Sequence, residues 1–113
     1  DGPGQYTDDL LNCLEENNAH ATFFMLGQNV ANYSEQVQHI LKAGCEIGSH
    51  SYDHPNLKNL DLDSVKKQFT DTDDLLIKVA TYGEATTFSL KELWNTGYKE
   101  KGGLIGITVY RNL

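Results

Sequence analysis

No apolar run in this sequence approaches the roughly 18 residues that a membrane-spanning helix needs, and none forms the apolar core of a secretion signal. Methionine is nearly absent as well. The chain starts at Asp1 and its only methionine is Met25, so it is expected to be a cut or incomplete piece. Basic residues are scarce: nine Lys and Arg stand against sixteen Asp and Glu, a net charge of −7. Such a surface repels nucleic-acid phosphates and anionic membranes, so no nucleic-acid partner is expected and a neutral partner is favoured. Two cysteines, Cys13 and Cys45, allow one bridge at most. Each lies beside apolar residues in a segment that reads as regular structure, so both are expected to be free, buried thiols, and they do not settle the redox compartment. With 113 residues and 39% hydrophobic content, one compact domain with a modest core is the ceiling.

What the sequence does hold is an alternation of helix and strand patterns. Thr7 can cap a helix with Asp8 and Asp9 in its first turn and Leu10, Leu11 and Leu14 on one face, ended by Asn17 and Asn18. Ala21 to Leu26 is a nearly unbroken apolar run stopped by Gly27, which predicts a strand covered on both faces, as in a parallel sheet. Ser34 as N-cap, Val37, Ile40 and Leu41 at helical spacing and Gly44 at the end predict a second helix. A short strand over Cys45 to Ser49 follows. Val65, Phe69, Thr72, Leu76 and Val79 then trace the stripe of a third helix, with Lys66, Lys67 and the run Asp71, Asp73, Asp74 on what is expected to be a solvated face. That run lacks the glycine and terminal glutamate of a calcium loop. Beyond Ala80 the pattern loosens, with a strand over 86–90, a helix over 91–98 and a strand over 104–110 as expectations. The order is that of α/β folds with right-handed crossovers, whose sites lie at the carboxyl ends of strands.

His50 follows directly on the second of these strands. It opens the hexapeptide His50-Ser51-Tyr52-Asp53-His54-Pro55, whose two imidazoles, four residues apart, can grip one divalent metal ion. A catalytic site needs three protein ligands and an open position for water, and Asp1 can supply the third if its loop lies at the same end of the sheet. Gly2 and Pro3 would shape that turn. His20 and His39 are read as structural, and Trp94, Tyr98 and Tyr110 as core aromatics rather than sugar platforms.

These segments together resemble the polysaccharide deacetylases, the carbohydrate esterases with a NodB-like domain. Asp1-Gly2-Pro3 matches the end of the family's T-F-D-D-G-P motif, and His50, Ser51, His54 and Pro55 match H-[ST]-x-x-H-P at every defined position. Ala21-Thr22-Phe23-Phe24 and the stretch from Gly44 through Glu46, Ile47, Gly48 and Ser49 look like two further family segments. The resemblance runs over residues 1–79, leaving 80–113 as a divergent tail, all within one incomplete domain. It implies an α/β fold, about the N-terminal half of a distorted (β/α) barrel. It implies a divalent metal, zinc first and cobalt or another transition metal as alternatives, held by Asp1, His50 and His54. It also implies hydrolysis of N-acetyl groups on N-acetylglucosamine polymers, peptidoglycan or chitin-like, by metal-activated water. Gly2, Pro3, Ser51 and Pro55 would order the loops, with Ser51 no nucleophile. A secreted or cell-surface location follows from such a substrate.

Several family parts are missing from the pattern. The general base precedes the metal-binding aspartate, a position before Asp1. The expected R-x-P-x-G is not found near Thr86 to Lys91, Arg111 is the sole arginine, and no histidine beyond His54 can serve as the acid. Loss of a positioned base alone costs about 10²- to 10⁴-fold in rate. A complete barrel needs roughly 200 residues or more. The chain alone is therefore expected to bind zinc weakly, to deacetylate nothing measurable and to self-associate through exposed sheet edges. A non-catalytic metal- or glycan-binding NodB-like protein is the alternative, and a small metal-binding α/β protein with coincidental likeness the third reading.

Overall fold

The computed structural model describes residues 1–82 and 109–111. Helix α1 spans Thr7–Glu16, strand β1 Thr22–Met25, the single-turn helix α2 Gly27–Val30, helix α3 Ser34–Lys42 and strand β2 Glu46–Ser49. A 3₁₀ turn at Leu57–Asn59 leads into the long helix α4, Leu62–Tyr82, and strand β3 is Val109–Arg111. The three strands form one parallel sheet in the order β1-β2-β3. Thr22 pairs with Glu46 and Met25 with Ser49, while Ile47 pairs with Val109 and Ser49 with Arg111. All the strands thus end on the same side.

Leu11, Met25, Val30, Val37, Ile40, Cys45, Ile47, Leu76 and Val79 bury their side chains together, so each helix contributes to one core over β1 and β2. Two helices end as their sequences require. In α3 the Gly44 N–H donates to the Leu41 carbonyl and the Cys45 N–H to that of Ile40, with Gly44 at φ 74°. Such a Schellman ending needs a left-handed residue, which glycine adopts without penalty. In α1 the same pair of bonds runs from Asn18 to Glu15 and from Ala19 to Leu14, with Asn18 at φ 52°.

Several expectations need correction. Thr7 is the first residue of α1 and not its cap: Tyr6 precedes the helix, and the Thr7 hydroxyl accepts the Gly4 N–H at 2.9 Å, tying down the opening loop instead. Ser34 likewise begins α3 behind Tyr33 without a side-chain cap. Leu10 is half exposed, because Leu11 and Leu14 already fill the side of α1 that meets the core. Cys13, one turn before the end of α1, is exposed, and only Cys45 is a buried free thiol. Strand β1 is shorter than the apolar run that predicts it. Its first residue is exposed and its two phenylalanines are only partly covered, so it is not buried on both faces.

The acidic face of α4 also differs from the pattern. Asp73 and Lys78 are buried and Asp74 is half-buried, since the second half of this helix packs on α2, α3 and β2 and covers more than one stripe. Burial pushes the Asp74 carboxyl above the usual carboxylate range, against the pull of Lys78 one turn on. Of the expected strand over 104–110, only its end is described, as part of β3. The expected strand over 86–90 and helix over 91–98, with Trp94 and Tyr98, lie outside the described residues.

Candidate metal centre

Asp1 and His50 reach the same place from opposite sides of β1. On one side the Leu26 N–H donates to the Gly2 carbonyl at 2.8 Å, and the Asp1 amino group donates to Phe24 O at 3.3 Å. On the other, the His50 N–H donates to the Met25 carbonyl at 2.9 Å, one residue past the last paired position of β2. Asn29 of α2 donates to the Asp1 carbonyl at 3.0 Å and fixes the opening segment. The Gly2–Pro3 peptide is cis.

The histidine loop is held by α2, by α4 and by a bond of its own. Its Ser51 and Tyr52 carbonyls accept the Gly27 and Gln28 N–H groups, two of the donors that the first turn of a helix leaves open. Gln68 of α4 accepts the Tyr52 N–H at 2.7 Å and donates to the Asp53 carboxylate at 2.9 Å. Within the loop, the buried Ser51 hydroxyl accepts the His54 N–H at 3.2 Å. Ser51 and His54 both take left-handed backbone, φ 67° and 60°, a conformation that costs a non-glycine residue about 1 kcal/mol or more. The surrounding bonds hold that strain.

Gly27 is the residue whose role the sequence pattern misses. It begins α2 rather than merely ending β1, and a Cβ there would lie 2.5 Å from Thr72 Oγ1 and 2.6 Å from Tyr52 Cδ2. Only a glycine lets the loop and α4 close on this point. Gln68 is the second omission, since a half-buried glutamine on a helix carries no sequence signal of its contacts.

Asp1, His50 and His54 each offer one ligand atom, and these atoms lie within 4.8 Å of one another. Asp1 Oδ1 is 3.2 Å from His50 Nε2 and 3.7 Å from His54 Nε2, and the two rings meet edge to face at 4.8 Å between centroids. Donor atoms about 2.1 Å from a tetrahedral zinc lie about 3.4 Å from each other. The two carboxylate–imidazole spacings bracket that value while the whole set lies within 4.8 Å, so the donor set fits such an ion in chemistry and, along its two carboxylate–imidazole edges, in spacing. Burial lowers the His50 pKa below its ordinary 6.5, helped by the positive Asp1 amino group and by His54. A neutral imidazole is the form that ligates a metal. Beside the cluster lies a groove of about 300 Å³, lined by His50, His54, Pro55, Leu57, Lys58 and Phe69 among others.

A parallel α/β sheet with a carboxylate and two imidazoles converging at the carboxyl ends of its strands places the chain among α/β proteins that put their site on that rim. The chain belongs to the polysaccharide deacetylase family, whose model matches residues 1–93. It is 41% identical over 83 residues to the peptidoglycan-N-acetylmuramic acid deacetylase PdaC of Bacillus subtilis, covering 73% of this chain and 18% of that protein. A chitin deacetylase of Pestalotiopsis sp is 37% identical over 100 residues, covering 82% of this chain and 34% of the relative. The solved structure of Bacillus subtilis PdaC superposes with a TM-score of 0.71 at 29% identity, over 99% of this chain and 54% of that one. The chain thus spans about half of that solved domain and a smaller share of its curated relatives.

Proposed function

We propose that this chain is the metal-carrying N-terminal part of a zinc-dependent polysaccharide N-deacetylase, acting on N-acetylglucosamine polymers of the peptidoglycan or chitin type at or outside the cell surface. The convergence of Asp1, His50 and His54 within 4.8 Å carries this reading. Relatives named for peptidoglycan and chitin deacetylation support the substrate class. In the complete enzyme the parallel sheet begun by β1 and β2 would continue into the NodB-like barrel.

When bound, a zinc ion supplies Lewis-acid polarisation of an amide carbonyl and a water acidic enough to ionise near neutral pH. The chain's own residues hold and orient. Asp1 Oδ1 and the two imidazole Nε2 atoms form one face of donors. Burial keeps His50 neutral near pH 7, and Ser51 fixes the turn that aims His54. Pro55 closes the loop, and Gly2 and Pro3 shape the opposite one. The proton transfers of the hydrolytic step are proposed to fall to groups of the complete protein outside these motif segments.

The lack of an R-x-P-x-G segment near Thr86 to Lys91 favours a second reading, a NodB-like protein that binds metal or glycan without turnover. Acetate release from acetylated chito-oligomers and from peptidoglycan tests both. The zinc-loaded chain is expected to release none, and measurable release would overturn its proposed dependence on further groups. Flanking codons that restore T-F-D before Asp1 and R-x-P-x-G after Val79 would favour the enzyme over the binding protein.

A further inference from the structure

A second groove, of about 470 Å³, lies between Tyr52 of the histidine loop and α4. It is lined by Tyr52, Leu60, Ser64, Lys67, Gln68 and Asp71, and among the described residues it shares none of its lining with the groove beside His50 and His54. Its size is in the range of small-molecule sites, about 300–1,000 Å³. Tyr52 is 38% exposed, one of few large apolar side chains so open to solvent among the described residues, and Leu60 adds apolar surface nearby.

Around this apolar surface stand polar groups already fixed in place. Ser64, Lys67, Gln68 and Asp71 lie on one stripe of α4, at the spacing that puts side chains on a common face. Lys67 Nζ and Asp71 Oδ2 are 2.6 Å apart. This pair leaves the groove without net charge in a chain of −7, and presents a donor and an acceptor side by side. Gln68 is pinned by the Tyr52 and Asp53 N–H groups and the Asp53 carboxylate. An aromatic face rimmed by fixed, mutually neutral donors and acceptors suits a ligand with an apolar C–H face and a ring of hydroxyl groups. It suits neither an anion nor a wholly apolar partner.

We propose that the Tyr52 groove is an accessory carbohydrate site that holds an uncharged N-acetylhexosamine unit of the polymer, apart from the unit presented at the candidate metal centre. This rests on the polysaccharide reading above, but needs no metal. The C–H face of the sugar lies on Tyr52, and its hydroxyl groups bond to Ser64 and to the Lys67–Asp71 pair.

Titration of the isotope-labelled chain with N-acetylated chitotetraose, followed by amide NMR, tests it. Shifts are expected at Tyr52, Ser64, Lys67 and Asp71 with and without zinc, and in His54→Ala. Tyr52→Ala is expected to weaken this binding about tenfold. Ser64→Gln, which fills the groove from a half-buried position in the first turn of α4, is expected to weaken it similarly without touching the loop. Shifts confined to the neighbours of His50 and His54, no shifts at all, or binding unchanged in both variants would overturn the proposal. Failure of the deacetylase reading would show separately, as zinc heats indifferent to His50 and His54.

Discussion

At the scale of single residues, the histidine loop depends on contacts too close to permit substitution. Gly27→Ala forces a methyl group against Thr72 and Tyr52 and is expected to cost about 1–3 kcal/mol, read from urea unfolding midpoints at unchanged slope. A variant as stable as the parent would mean that the loop does not pack on α4 as described. Ser51→Ala removes the acceptor of the His54 N–H; it is expected to cost about 1 kcal/mol and to weaken zinc binding about tenfold, measured by calorimetry. That Asp1, His50 and His54 come together was legible in the sequence, because the two imidazoles stand four residues apart just after a strand and the opening loop was expected at the same end of the sheet. Gly27 and Gln68 were not, since their importance comes from what lies across the fold at positions 72 and 52–53. The exposure of Cys13 was illegible for the same reason: an apolar neighbour in sequence does not say which way a helix turns.

Between elements, His39 joins α3 to α1 by its two ring nitrogens. Nδ1 lies 2.8 Å from Asp8 Oδ1 and Nε2 3.4 Å from Glu15 Oε1, and Gln36 donates to the other Asp8 oxygen. A neutral imidazole donates from one nitrogen only, so both contacts are satisfied together by the imidazolium. The hydrogen bond to Asp8 raises the His39 pKa above 6.5 despite some burial, with Glu15 adding to it, and the same contact, with Gln36, lowers Asp8 below 3.8. The raised His39 contributes its full stabilisation below pH 6.5 and loses it as pH rises through the folded value. The lowered Asp8 contributes above pH 3.8 and loses it as pH falls through its folded value. The clasp is therefore strongest between these limits. His50, lowered by burial, acts in the opposite sense near neutrality, so the clasp must be read as a difference. His39→Ala is expected to cost about 0.5 kcal/mol at pH 5.5 and less at pH 8.5, as suits a partly exposed pair. An equal cost at both pH values, by thermal melts, would refute the charge argument. Helix and strand order was readable from periodicity and from Gly44, while α2 and the clasp were not: four residues make no periodic signal, and His39 offers none of its partners.

Over the whole molecule, the described residues account for one core and one end of a parallel sheet, with the outer edge of β1 paired only near its carboxyl end, where Asp1 and Gly2 lie. Unpaired strand edges invite pairing with other chains. Sedimentation is accordingly expected to show association rising with concentration, and a monomer at all concentrations would contradict this. The parallel α/β order and the position of the site at its carboxyl rim were legible because both follow from the alternation of patterns. The limits of β1 and the buried charges of α4 were not, because they depend on which faces find a neighbour. Whether Asp1, His50 and His54 act as one metal site is decided by calorimetric zinc titration. One zinc per chain is expected, with a dissociation constant above about 1 μM, weakened on the order of 100-fold by His50→Ala or His54→Ala and unchanged by His39→Ala. Zinc binding that survives the loss of both His50 and His54 would contradict such a site.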